Sequence, residues 1–188
     1  LQREKATVQY DNLTNQLNPH FLFNSLSSLN SLIQDDQQLA SDFLQHLSKV
    51  YRYVLQNKDK ETVSIQTELD FIRNYVFLLE TRFQEGFSVN YNLQPDDLER
   101  EIVPVTLQIL IENAVKHNII TASKPLMLEI ASDGEFIIVK NTLQKKSNVE
   151  TSNKQGMEKL KTLYRYITQK QIVVEETATE FIVKLPLV

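Results

Sequence analysis

Leu17-Asn18-Pro19-His20-Phe21-Leu22-Phe23-Asn24-Ser25-Leu26 decides how the rest of the chain is read. On a helix, His20, Asn24, Ser27, Ser28 and Ser31 share one face, because residues three and four apart are neighbours. That face is small and polar around one imidazole and leaves room for a second domain to approach. Leu22, Leu26, Leu29 and Ile33, spaced 4-3-4, form a narrow apolar seam elsewhere on the same helix. Pro19 lacks an N–H and crowds the carbonyl of Asn15, which predicts a kink just before the histidine. A lone histidine is ordinarily a solvated side chain; it is the company of these ten residues that gives His20 weight.

A second seam follows at Ala40, Phe43, Leu47, Val50 and Val54, spaced 3-4-3-4. Gln34-Asp35-Asp36-Gln37 between the seams is a short polar connection with an aspartate placed to cap the second helix. Short loops join antiparallel neighbours, so residues 1–60 read as a helical hairpin. One hairpin buries two seams poorly and two bury them well as a four-helix bundle, which predicts a homodimer. Residues 61–188 change pattern. Ser64 to Phe83 reads as a helix with Leu69, Ile72, Val76 and Leu79 on one face, and Val105 to Ile119 as another, introduced by Pro104. Strands are expected at Phe87 to Leu93, at Leu126 to Ala131 and Phe136 to Lys140 around Asp133-Gly134, and at Ile172 to Val174 and Glu180 to Leu185. Thr142 to Gln155 has no usable period and reads as a loop, and Met157 to Ile167 as a helix. The fold class is therefore α+β, with helices on one face of a mostly antiparallel sheet.

Composition narrows the function. With 41% hydrophobic and 23% charged residues the chain is ordinary for a globular protein, and a net charge of −4 gives no reason to expect nucleic acid as a direct partner. The absence of cysteine excludes disulfides and thiolate metal sites. No apolar run approaches the roughly 20 residues of a membrane helix. The chain opens on Leu1, so the expectation is a cytoplasmic piece of a longer parent protein, attached to the bacterial inner membrane only through an upstream segment.

The string from Leu17 to Leu26 resembles the phosphoacceptor motif of the LytS/YehU-type sensor histidine kinases, and similar landmarks follow in order. Glu68-Leu69-Asp70-Phe71-Ile72-Arg73-Asn74-Tyr75 with Arg82-Phe83 resembles the helix that opens the family's ATP-binding domain. Val103-Pro104 and Leu107 to Asn118 resemble its N box, and Phe181 to Leu187 its last strand. The resemblance covers nearly the whole chain. It implies a dimerising hairpin fused to a catalytic domain of the gyrase/Hsp90/histidine kinase/MutL (GHKL) type, which uses ATP and Mg²⁺.

Residue by residue, the resemblance makes His20 the phosphoacceptor, Asn113 the Mg²⁺ ligand and Lys116 a phosphate contact. The residues of the N box carry a logic of their own. Leu107, Leu110, Ile111 and Ala114 can bury while Glu112, Asn113 and Lys116 face elsewhere, so a carboxylate, an amide and an ammonium on adjacent turns can hold Mg²⁺ and polyphosphate. The plainer reading is a surface pair between Glu112 and Lys116, worth only about 0.2–0.5 kcal/mol. Many histidine kinases place an acidic base after the phosphoacceptor, where this chain has Phe21. Glu112 is the candidate base, with Gln16 and Asn24 orienting the ring from one turn either side. His117 reads as a neighbour of this site or as a helix-end histidine; His46 has no motif around it.

Two boxes depart from the family. Where an Asp-x-Gly box is usual, the chain has Lys140-Asn141-Thr142-Leu143, in which Asn141 still offers an acceptor to adenine. Where a Gly-x-Gly-x-Gly box is usual, it has Ser152-Asn153-Lys154-Gln155-Gly156-Met157. Only Gly156 remains to let backbone N–H groups approach phosphate. Lys154, and secondarily Lys145 or Lys146, are substitute phosphate contacts, although the last two read more simply as part of a solvated lid. Two functions stay open: a kinase that phosphorylates itself on His20 and passes phosphate to the aspartate of a response regulator, by resemblance of the LytTR type, or a catalytically impaired dimeric scaffold with a degenerate nucleotide site.

Overall fold

A computed structural model describes residues 19–57, 60–146 and 154–188, except for the side chains of residues 19, 154–156 and 159. Helices α1 (Pro19–Asp35) and α2 (Gln37–Asn57) form the hairpin, with Asp36 alone between them. Asp36 caps α2, its carboxylate accepting the Leu39 N–H at 3.0 Å. Helix α3 (Ile65–Phe83) starts at Ser64, whose hydroxyl accepts the Thr67 N–H at 3.2 Å.

The α2 seam is buried throughout, but its cover is α3 of the same chain. Tyr53 stacks on Phe71 with ring centroids 4.1 Å apart, and His46 stacks on Phe77 at 4.0 Å. Within one chain the α2 seam therefore already has a cover, before any that a partner hairpin would add. The physical reason lies in α3, which buries two stripes: Leu69, Ile72, Val76 and Leu79, as expected, and also Phe71, Tyr75 and Leu78. This second stripe receives the hairpin. Among the described hairpin residues, Leu26 and Ile33 of the α1 seam stay exposed, together with Phe23, Leu44 and Leu55.

Five strands form the main sheet: β2 (Phe87–Asn92), β4 (Leu126–Ser132), β5 (Phe136–Thr142), β6 (Val173–Glu176) and β7 (Glu180–Pro186), in the order β2-β4-β5-β7-β6. Only the β2–β4 pair is parallel, with Phe87 opposite Leu126; the others are antiparallel. The β4–β5 turn is the expected one. Gly134 takes φ +90°, which glycine adopts without a Cβ clash, and Asp133 accepts the N–H groups of Glu135 and Phe136. Leu126, Leu128, Ile130, Ile137, Val139, Val183 and Leu185 are buried alternately along their strands. On the opposite face, Glu129–Lys140 and Glu175–Lys184 pair in solvent at 2.8 Å each. Helices α4 (Thr106–His117) and α5 (Lys154–Thr168) therefore share one apolar face with α3. Helix α5 starts three residues before the expected Met157, and α4 stops at His117, two residues before the expected Ile119. A two-stranded pair, β1 (Val63–Ser64) with β3 (Glu101–Ile102), joins the entry of α3 to the segment before α4. Among the described residues no helix is long and apolar enough to cross a membrane.

Candidate functional site

His20 is exposed in the first described turn of α1. Asn24, one turn on, places its amide nitrogen 3.1 Å from Nδ1 of the imidazole. Ser27 and Ser31 are exposed beside it and Ser28 is half-buried, so the polar face exists as expected. Asn15 and Gln16, on which the kink and the second orienting amide depend, lie outside the described residues. The next residue, Phe21, is buried, its ring centroid 5.0 Å from that of Tyr75 in α3.

The N box forms α4 as the sequence requires, with Leu107, Leu110, Ile111 and Ala114 buried. Glu112 is partly buried, and its Oε1 accepts hydrogen bonds from Gln108 Nε2 at 2.8 Å and from the Tyr75 hydroxyl at 3.2 Å. Burial raises its pKa above the usual carboxylate range, although both hydrogen bonds and the nearby Lys116 charge favour the ionised form. Asn113 is half-buried and Lys116 exposed. The oxygen donors of α4 suit a hard cation, since Mg²⁺ ordinarily takes one or two protein oxygens, keeps waters and shares phosphate oxygens.

Sequence reasoning missed what holds the start of this helix. Glu68, fully buried in α3, accepts the N–H groups of Val105 at 3.1 Å and Leu107 at 3.2 Å, and the hydroxyl of Tyr53 in α2. A carboxylate here meets the unpaired donors and positive end of α4. Burial nonetheless pushes its pKa up to about 7, against the pull of those hydrogen bonds. Val105 sits at φ +64°, unusual for a β-branched residue, with its N–H held by Glu68. The available signal was an acidic residue inside an otherwise apolar stripe of α3.

Asn141 is buried on the helix-covered face of β5, opposite Leu128 and Phe181, and its amide donates to the Thr142 carbonyl at 2.8 Å. The expected lid is corrected over its first residues. Lys146 donates its ammonium to the carbonyls of Val115 and Lys116 at 3.2 and 3.1 Å, and its N–H to that of His117 at 2.9 Å. Gln144 donates its N–H to buried Asn118 at 2.7 Å, and Lys145 pairs with Glu176. These residues close the C-terminus of α4, where a cation and extra donors are favourable. Both lysines are exposed, but each ammonium is engaged with a partner on the protein. Lys154 and Gly156 fall in the first turn of α5, but their side-chain surroundings lie outside the described residues, as do residues 147–153. His117 ends α4, its pKa lowered by burial and then by Lys116, Lys146 and Lys145. His46 anchors the hairpin, with Nδ1 at 2.8 Å from the Asn74 side-chain oxygen.

Residues 8–87 match the family model described as histidine kinase. The Sensor protein LytS of Staphylococcus saprophyticus is 33% identical over 110 residues, covering 58% of this chain and 19% of that protein. The Sensor histidine kinase/phosphatase LytS of Staphylococcus aureus is 29% identical over 152 residues, covering 81% of this chain and 25% of that protein. The chain therefore spans about a quarter or less of the curated relatives it matches. A solved catalytic domain of the histidine kinase ThkA aligns with 66% of this chain and 97% of its own at 14% identity and a TM-score of 0.45. The matches are to histidine kinases throughout, and they support a LytS-type transmitter region.

Proposed function

We propose that this chain binds ATP, phosphorylates itself on His20 and passes the phosphoryl group to an aspartate of a response regulator. The observation that carries the reading is the placement of His20: its imidazole is exposed beside Asn24, while the adjoining Phe21 is seated on Tyr75, which holds Glu112. The Asn24 amide nitrogen lies 3.1 Å from Nδ1 and 3.5 Å from Nε2 and orients the ring, whose unprotonated nitrogen attacks. That ring nitrogen forms a bond to the γ-phosphorus as the bond to the bridging oxygen breaks and ADP departs, and the ring proton passes to Glu112. A carboxylate with a raised pKa suits that role, because general bases work best with a pKa near the working pH. Lys116 contacts the phosphates and Asn141 accepts from the adenine amino group, with Lys154 and Gly156 on the phosphate side. Mg²⁺, held by Asn113 and the triphosphate, would supply charge neutralisation.

The division at residues 60 and 61 separates the phosphoacceptor hairpin from the catalytic domain. Two copies would meet through Leu26 and Ile33 of α1 and the exposed Leu44 and Leu55 of α2. The regulator is of the LytTR type, and the parent protein sits in the inner membrane with this part in the cytoplasm. Replacing His20 with Gln should abolish labelling from γ-labelled ATP and preserve the dimer; persistent labelling would sink the assignment.

One observation favours the second reading, an impaired scaffold. The glycine box retains only Gly156, and Lys145 and Lys146 are engaged elsewhere. Calorimetric titration with ADP and Mg²⁺ separates the two, since a scaffold shows no binding heat at high nucleotide concentration.

A further inference from the structure

We infer that Tyr75 is a positioning residue for Glu112, and that Phe21 makes this positioning depend on the seating of the phosphoacceptor helix. Tyr75 is 2% exposed and stands in α3 between the hairpin and the N box. One end of the side chain, the hydroxyl, donates to Glu112 at 3.2 Å; the ring faces Phe21 at 5.0 Å. Phe71 backs that ring at 6.5 Å and is itself stacked on Tyr53 of α2, so the tyrosine is clamped between both hairpin helices and α4. Because Phe21 directly follows the exposed His20, anchoring its ring fixes the rotation of α1 and with it the direction in which the imidazole points. A single buried ring thus connects the orientation of the phosphoacceptor to the hydrogen bonding of the carboxylate.

The other groups facing Glu112 do not duplicate this link. Gln108 and Lys116 are on its own helix, at 2.8 Å and through space respectively. From α2, the Tyr51 hydroxyl is buried without a hydrogen-bond partner and feels the Glu112 charge. Arg82 acts on Tyr75 from further along α3. Tyr75 alone among these both donates to the carboxylate and touches α1.

The inference rests on the proposed role of Glu112 for its catalytic meaning, but the hydrogen bond can be read without catalysis. The full chain is compared with Tyr75→Phe, which keeps the ring and its packing, by isotope-edited infrared spectroscopy of the Glu112 carboxyl at one fixed pH, by the rate of His20 labelling at saturating ATP and by ADP affinity. Loss of the donor should shift the Glu112 carboxyl band and slow labelling by at least about fivefold, while ADP affinity stays within about twofold. A purely structural tyrosine would lower the melting temperature or nucleotide affinity and leave the band in place. In a Phe21→Ala background the effects of Tyr75→Phe should fall to less than about half. An unmoved Glu112 band in Tyr75→Phe overturns the inference, and an undiminished effect in the Phe21→Ala background overturns the part assigned to Phe21. A moved band in a protein that never labels His20 supports the positioning and defeats the kinase reading.

Discussion

Glu68 accepts the backbone N–H of Val105 at 3.1 Å, so a carboxylate buried in α3 fixes the entry of the helix that carries Asn113. The same carboxylate accepts from Leu107 and from Tyr53 of the hairpin, and thereby joins three elements at one point. Its surroundings are dry enough that burial outweighs all three hydrogen bonds and its pKa rises to about 7.

A raised acid pKa has a definite sign. Between the unfolded value of 4.5 and the folded value of about 7, the native state holds more protons than the unfolded state, so stability falls as pH rises through that window. The contribution is on the order of 3 kcal/mol, present below the unfolded pKa and lost above the folded one. Glu68→Gln should remove this slope, and the difference between variant and native stabilities in urea melts should be steepest across that window. Parallel pH profiles would contradict the burial of the carboxylate. Glu68→Ala, which leaves two buried N–H groups and a hydroxyl unpaired, should destabilise by roughly 3 kcal/mol at pH 5.

Lys146 closes the C-terminus of α4 through the carbonyls of Val115 and Lys116. Replacing it with Ala should cost about 0.5–1 kcal/mol in thermal stability, the usual value of a cation at a helix end. ADP affinity should change little. A loss of affinity beyond about tenfold (~1.4 kcal/mol) would return the ammonium to the phosphates.

How much of this was visible in the sequence depends on the distance between partners. His20 and Asn24, or Glu112 and Asn113, lie within one turn, and local spacing was enough to put each pair on one helix, while the roles expected of them came from the resemblance. The Glu68–Val105 clamp spans 37 positions and three elements, and no periodicity reports such a contact. Strands β1 and β3 have two residues each, too short to show alternation. The second stripe of α3 was legible in principle from Phe71, Tyr75 and Leu78. It went unread because the first stripe already satisfied a helix on a sheet. The lid at Thr142 to Lys146 looked aperiodic for a related reason: its order comes from capping bonds to α4, which leave no pattern in their own residues.

His46 and Phe77 supply a second anchor between α2 and α3, through ring stacking and the hydrogen bond to Asn74. His46→Ala should lower stability by about 1–2 kcal/mol. Hydrogen exchange should quicken in α2 before it quickens in the sheet. Uniform acceleration across the chain would mean that the hairpin and the sheet domain open as one unit.

The cover of the two seams separates folding from self-association. Phe43 of α2 is 1% exposed and packed within the chain, so Phe43→Ala should cost about 3–5 kcal/mol of folding stability and act on the dimer only through it. Leu26 of α1 is 47% exposed, so Leu26→Glu should leave the monomer's stability within about 0.5 kcal/mol. The same substitution should raise the dimer dissociation constant by at least about tenfold, because a charge would have to be buried at the seam between copies. Sedimentation equilibrium, paired with urea melts at fixed protein concentration, reads both effects. If Leu26→Glu left association untouched while Phe43→Ala abolished it in a protein that remained folded, the copies would have to meet through the α2 seam. That seam is filled by α3, so such a result would require the hairpin to leave α3 on dimerising.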